Sequence, residues 1–191
     1  LAAYDIRNIV LDPVMVATSG AKLIDDDAIT ALTERLFPLA EVITPNIPET
    51  EVLLDLIAHR GASLDPAKWA EDTDRESTRI VSDTAMEDAG RTVSEHYGCA
   101  VLVKGGHGVA DTSDLLYADG VATWIHGVRV DNPNTHGTGC TLSSAIASNL
   151  AKGEALPDAI RHAKDYLTGA LGAQLNLGHG SGPMDHAWHW R

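Results

Sequence analysis

Three short apolar runs constrain this chain more than any other feature. Ile9-Val10-Leu11, residues 41–44 and residues 99–103 are long enough for buried strands and too short for buried helices. The first stops at Asp12-Pro13, where proline cannot extend a ladder. Between the runs, apolar residues recur at helical spacing. Ile29, Leu32 and Leu36 follow the acidic start Asp25-Asp26-Asp27 and end at Pro38. Val52, Leu53, Leu56 and Ile57 lie between Pro48 and Gly61, and Met86, Ala89 and Val93 between Ser82 and Gly98. Strands separated by helices of this length pair in parallel, so the pattern predicts an α/β fold. Asp119-Gly120, flanked by strand-like residues 114–118 and 121–125, predicts a type I′ hairpin. Two more helices are predicted, one with Leu142, Ala145, Ile146 and Leu150 on one stripe, and one starting at Pro157 with Ile160, Ala163, Leu167 and Leu171. Residues 62 to about 81 mix charges with little periodicity and read as a surface loop or insertion.

Composition narrows the class. The 191 residues suit one domain of ordinary size, and 44% apolar against 21% charged residues is enough for a real core. With 14 Lys+Arg against 27 Asp+Glu, the net charge of −13 argues against nucleic acid as a partner. Cys99 and Cys140 are too few for a disulfide framework, which makes a reduced, cytoplasmic setting the expectation. The longest stretch without charged residues, 132–151, is rich in Gly, Thr, Ser and Asn and does not read as a membrane span. Residues 1–10 have no apolar stretch of signal-peptide length.

In parallel sheets chemistry collects at the C-terminal ends of strands, and several polar motifs fall there. Asn134-Thr135-His136-Gly137-Thr138-Gly139-Cys140-Thr141 opens a helix. Its glycines let backbone approach an anion, and the helix start aims free N–H groups at it. A phosphoryl group in transfer is a natural guest; the other reading is a glycine-rich helix start without a ligand. No Gly-Lys-Ser/Thr follows, so this is not a Walker A loop. Cys140 falls in the first turn, where a helix dipole favours thiolate. It reads as a proton acceptor for an attacking hydroxyl or as a small packed residue. Cys99, in an apolar strand, reads as core. Asn46-Ile47-Pro48-Glu49 is either an amide and carboxylate set to handle Mg²⁺ or a capping box. Asp12 is a metal- or phosphate-site acid or a turn residue; Lys104-Gly105-Gly106 contacts ATP phosphates or is a solvated turn. His107, His136, His179 and His186 are too scattered for ligand spacing.

At these residues the chain resembles the hydroxymethylpyrimidine/phosphomethylpyrimidine kinase family of thiamine biosynthesis, within the ribokinase-like superfamily. The likeness is carried by Leu11-Asp12-Pro13-Val14-Met15-Val16, Thr44-Pro45-Asn46-Ile47-Pro48-Glu49, Val101-Leu102-Val103-Lys104-Gly105-Gly106-His107 and Thr135-His136-Gly137-Thr138-Gly139-Cys140-Thr141-Leu142-Ser143, with Leu177-Gly178-His179-Gly180-Ser181-Gly182-Pro183 at the end. It implies a ribokinase-like three-layer sandwich with a mostly parallel central sheet, formed by residues 1–191 as one domain that begins inside the family's own. It also implies ATP- and Mg²⁺-dependent phosphorylation of 4-amino-5-hydroxymethyl-2-methylpyrimidine and then of its monophosphate, by a homodimer. Under the resemblance Cys140 is the catalytic base, and Gly137, Thr138 and Gly139 form the anion hole. Thr138, Gly139 and Lys104 contact ATP, Asp12, Asn46 and Glu49 handle Mg²⁺ and phosphate, and Val14 and Cys140 meet the substrate. Most ribokinase-like enzymes carry Asp where Cys140 stands. Cysteine there resembles the pyrimidine, thiazole and some pyridoxal kinases, and the Asn46…Glu49 and Lys104-Gly-Gly-His patterns favour the pyrimidine branch. A pyridoxal-type kinase and a nucleotide-binding but inactive module are the alternatives. The acidic stretch 65–79 is longer than the family's usual connection and has no assigned role.

Overall fold

In a computed structural model, the residues described are 1–4, 6–15, 23–58, 79–106, 112–132, 136–175, 177, 179 and 182–190. Among them run the strands β1 (Val10–Leu11), β2 (Val42–Ile43), β3 (Ala100–Val103), β4 (Asp114–Ala118) and β5 (Val121–Ile125). The α-helices are α1 (Asp26–Ala31), α2 (Ile47–Ala58), α3 (Asp83–Tyr97), α4 (Thr138–Ala151) and α5 (Leu156–Gly172). Val16, His107, Asn134, Thr135, Gly178, Gly180, Ser181 and nearly all of the acidic stretch 65–79 lie outside the described residues.

The strands form one sheet in the order β1-β2-β3-β4-β5. β1, β2 and β3 pair in parallel, with Val10 opposite Val42 and Ile43 opposite Val101. β4 runs antiparallel to β3, and β5 returns antiparallel to β4. Four of the five strands therefore share a direction, as the sequence predicts. The hairpin turn is also the expected one, with positive φ at both Asp119 (51°) and Gly120 (77°).

Strand side chains alternate between two cores. On one face Ile43, Val101, Val103 and Leu115 pack with Ile29 of α1, Val52 and Leu53 of α2, and Met86 and Val93 of α3. On the other, Val42, Leu102, Leu116 and Ile125 pack with Leu142, Ile146 and Leu150 of α4 and Ile160 and Ala163 of α5. The result is three layers, helix–sheet–helix. Each fully buried aliphatic side chain contributes about 1.5–3 kcal/mol, so these layers hold the strand ends in register.

The helices keep their predicted boundaries where caps exist. Ser82 Oγ accepts from the Ala85 N–H (3.2 Å), and α3 stops at Gly98 in the left-handed conformation. The first predicted helix differs: α1 passes into a π-turn at Leu32–Leu36 and a 3₁₀ turn at Phe37–Leu39. Pro38 cannot donate, which breaks the regular α-helical ladder there. No described helix is long and apolar enough to cross a membrane.

Candidate active site

The ends of β1, β2 and β3 deliver their next residues to one place. An isolated parallel bridge joins Asn46 to Lys104, and the Lys104 N–H donates to the Pro45 carbonyl (2.8 Å). The Lys104 ammonium reaches across to Asp12 Oδ1 at 2.7 Å, and Thr44 Oγ1 donates to the same oxygen at 3.1 Å. Both charged side chains are largely enclosed, at 14% and 13% exposure. A pair so sheltered is screened less than a surface ion pair.

The N-terminus of α4 lies against this pair. Gly137 is its N-cap with φ 84°, a left-handed value that glycine adopts without strain. A Cβ on Gly139 would come within 3.3 Å of Asp12 Oδ2 and 3.4 Å of Lys104 Nζ. Absence of that side chain lets the helix start approach the charges. The first N–H groups of α4 have no partner in the helical ladder, and with the helix dipole they favour an anion. Cys140 sits in this first turn with its thiol exposed. Gly137, Thr138, Gly139, Lys104 and Asp12 are thus brought together, with Cys140 at their rim.

Asn46 and Glu49 form a capping box at the start of α2. The Asn46 N–H donates to Glu49 Oε2, the Glu49 N–H to Asn46 Oδ1, both at 2.8 Å. Glu49 Oε1 also accepts from the Met15 N–H at 3.4 Å, which ties α2 to the turn after β1. Glu49 is buried, at 2% exposure. Desolvation pushes its carboxyl above the ordinary value; the Asn46 N–H and the Lys104 ammonium oppose this, and the Asp12 charge reinforces it. Glu49 therefore senses both members of the ion pair. Among the described residues no group of three or more His, Cys, Asp or Glu could hold a metal ion. Val14, on the turn closed by its N–H to the Asp12 carbonyl (2.9 Å), is 47% exposed, beside fully buried Met15.

Cys140 also opens onto a groove of about 830 Å³ along α4 and α5, lined by Ser144, Ser148, Glu154, His162 and Tyr166 among others. Asp12, Lys104 and Gly137 to Gly139 do not line it. Cys99 is buried just before β3, and desolvation raises its thiol to about 11.

Two features escape a sequence reading. Thr44, which donates to Asp12, gives no local signal beyond its place in the Thr44-Pro45-Asn46 run. Asp114 and Lys164 form a buried ion pair at 2.6 Å although 50 residues separate them. Only the packing of α5 against the sheet brings them together.

Comparison with known proteins supplies the family context. The family described as phosphomethylpyrimidine kinase matches residues 1–185. A hydroxymethylpyrimidine/phosphomethylpyrimidine kinase of Haemophilus influenzae is 38% identical over 191 residues, covering 97% of this chain and 63% of that protein. The crystal structure of a Bacillus subtilis pyridoxal kinase in complex with ADP superposes with a TM-score of 0.75 at 28% identity, over 99% of this chain and 64% of that one. A phosphomethylpyrimidine kinase of Clostridium difficile gives a TM-score of 0.64 at 30% identity, over 88% and 59%. The chain spans about three fifths of the length of these relatives.

Proposed function

The chain belongs to the phosphomethylpyrimidine kinase family, and on that premise we propose that it takes part in ATP-dependent phosphorylation of 4-amino-5-hydroxymethyl-2-methylpyrimidine and of the resulting monophosphate, in thiamine biosynthesis. One observation supports the reading above others. Lys104, Asp12 and the N-terminus of α4 converge at three strand ends, where an incoming triphosphate meets an ammonium and a row of N–H donors.

In the first transfer, Cys140 Sγ accepts the proton of the substrate hydroxyl. The hydroxyl oxygen then bonds to the terminal phosphorus as the bridging P–O bond breaks and ADP leaves. The N–H groups of Thr138 and Gly139 meet charge on the transferred oxygens, and Lys104 turns from Asp12 toward the phosphates. Val14 forms part of the wall against the pyrimidine. In the second transfer the acceptor is a phosphate oxygen, already anionic near neutral pH. That step needs no base.

Asp12 suits Mg²⁺, since its Oδ1 takes the described donors Thr44 and Lys104 and its Oδ2 faces the start of α4, while Glu49, whose oxygens accept the Asn46 and Met15 N–H groups, lies close enough to feel its charge. Asp12 and Glu49 would hold the ion or its waters, with Asn46 orienting Glu49, and it would supply charge neutralisation of the phosphates. Cytoplasmic placement and pairing as a homodimer belong to the same reading, as does the absence of nucleic-acid and membrane partners. A pyridoxal acceptor is the second reading, favoured by the likeness to the Bacillus subtilis pyridoxal kinase.

Phosphorus NMR of the chain with Mg·ATP and the hydroxymethylpyrimidine tests the proposal. Monophosphate appearing first and converting to pyrophosphate is the expected course. ADP without either product overturns the assigned acceptor, and a pyridoxal incubation then decides the second reading. No consumption of ATP overturns kinase activity for this chain.

A further inference from the structure

Behind the Lys104 turn lies a buried charge pair that the proposed chemistry does not use. Lys164, in the middle of α5, extends its ammonium to Asp114 Oδ2 at 2.6 Å and to the Thr112 carbonyl at 2.8 Å. The other oxygen of the same carboxylate, Asp114 Oδ1, accepts from the Gly105 N–H at 2.8 Å. The side chains are only 11% and 8% exposed. A Cβ on Gly105 would overlap the Ser113 carbonyl, and one on Gly127 would stand 3.0 Å from Lys164 Cε. The clasp is therefore closed on both sides by bare backbone.

Such a pair is a poor device for stability alone. Taking both charges out of water costs about what their attraction returns, and apolar residues of similar volume often do as well. What it does supply is direction. A carboxylate with one oxygen fixed by a helix cation holds its other oxygen in place for a single N–H, that of the residue after Lys104. On the opposite side the Lys104 N–H is fixed to Pro45. Both peptide groups flanking Lys104 are thus anchored, one to the end of β2 and one through Asp114 to α5.

We propose that Lys164 and Asp114 are positioning residues, which aim the Lys104 ammonium at the N-terminus of α4 by clamping Gly105. This rests on the kinase reading, in which Lys104 contacts the ATP phosphates. α5 also packs on α4 through the shared core around Ile146 and Ile160, so one helix backs both halves of the phosphate-suited cluster.

The test is a double-mutant cycle on Mg·ATP affinity, read by calorimetry, with Lys164→Met, Lys104→Met and the pair of them. Thermal melts identify the variants that fold. Lys164→Gln, which keeps a donor for Thr112 or Asp114, is the milder second variant if Lys164→Met does not fold. The expected result is a loss of roughly tenfold to a hundredfold in affinity for Lys164→Met. In the Lys104→Met background the same substitution produces no further loss. Amide hydrogen exchange at Gly105 is faster in Lys164→Met, a change that needs no nucleotide to be seen. Unchanged affinity in a folded Lys164 variant, or losses that simply add, overturns the positioning role while leaving the kinase reading intact. Wild-type chain that binds no Mg·ATP but shows the Gly105 exchange response overturns the kinase reading and removes the purpose assigned to the clasp.

Discussion

Lys104 Nζ and Asp12 Oδ1 stand 2.7 Å apart, although 92 residues separate them, at the ends of two strands that do not touch. β2 lies between β1 and β3, and its own next residue, Thr44, supplies the hydroxyl that shares Asp12 Oδ1. The pair is balanced in the absence of a ligand. Under the proposed function, a phosphate arriving at α4 would compete with Asp12 for Lys104, and the Asp12 carboxylate that Lys104 leaves would be free to help hold a cation. On that reading the ion pair and its ligands would be electrostatic substitutes for one another.

Gly139→Ala separates approach from folding. The added Cβ meets Asp12 and Lys104 at 3.3 and 3.4 Å, close enough to disturb the pair. Alanine is also the better helix former by about 1 kcal/mol in a helix interior. The expected outcome is a melting temperature equal to or above wild type, with Mg·ATP binding weakened by about tenfold or more. Calorimetry and a thermal melt check the two halves. Full-strength binding in this variant would remove the N-terminus of α4 from the phosphate site.

Cys140→Ala distinguishes the two transfers. Under the proposed base role, the substitution should lower the first transfer by roughly 10²–10⁴ in kcat. The second, whose acceptor is already ionised, falls far less, because only local packing has changed. Separate initial rates with the alcohol and with the monophosphate measure this. Equal losses in both steps would make Cys140 a structural part of the anion site and not a base.

Much of this architecture is legible in the residue pattern, and the reasons are local. Ser82 and Gly98 bracket α3 because capping chemistry acts within one turn. Asp119-Gly120 dictates its hairpin because both residues tolerate positive φ. The charged cluster is legible only as separate motifs at strand ends, and the fold joins Asp12, Lys104 and Gly139. Two things stay hidden. The Asn46…Glu49 pattern has two readings; the reciprocal hydrogen bonds of the capping box are formed, and the burial of Glu49 beside the turn after β1 comes from packing that no local pattern announces. The Asp114–Lys164 clasp spans a hairpin and two helices, a distance over which no periodicity carries information.

Thiol chemistry reports on the two cysteines independently of any substrate. Cys99 is buried, with its thiol raised to about 11 by desolvation, whereas Cys140 is exposed. At pH 8 the native chain should react with one equivalent of a disulfide reagent, and the unfolded chain with two. Cys140→Ser should leave the native chain unreactive. Fast labelling of Cys99 in that variant would mean that α3 and the start of β3 open readily.

Glu49 makes stability depend on pH in a direction opposite to that of a salt-bridged acid. Its folded pKa is raised above the ordinary 4.5, mainly by desolvation. The stability it contributes is therefore complete below that ordinary value and declines as pH rises through the higher folded one. Glu49→Gln keeps an acceptor in the capping box and has no charge to bury, so its stability relative to wild type should improve across that interval. Glu49→Ala behaves differently. It leaves the Asn46 and Met15 N–H groups without their acceptor and should cost about 1–3 kcal/mol near neutral pH. Urea titrations of the three proteins from pH 4 to pH 8 measure both effects. A gap between Glu49→Gln and wild type that stays constant over the range would show that Lys104 and the two N–H groups fully offset burial of the charge.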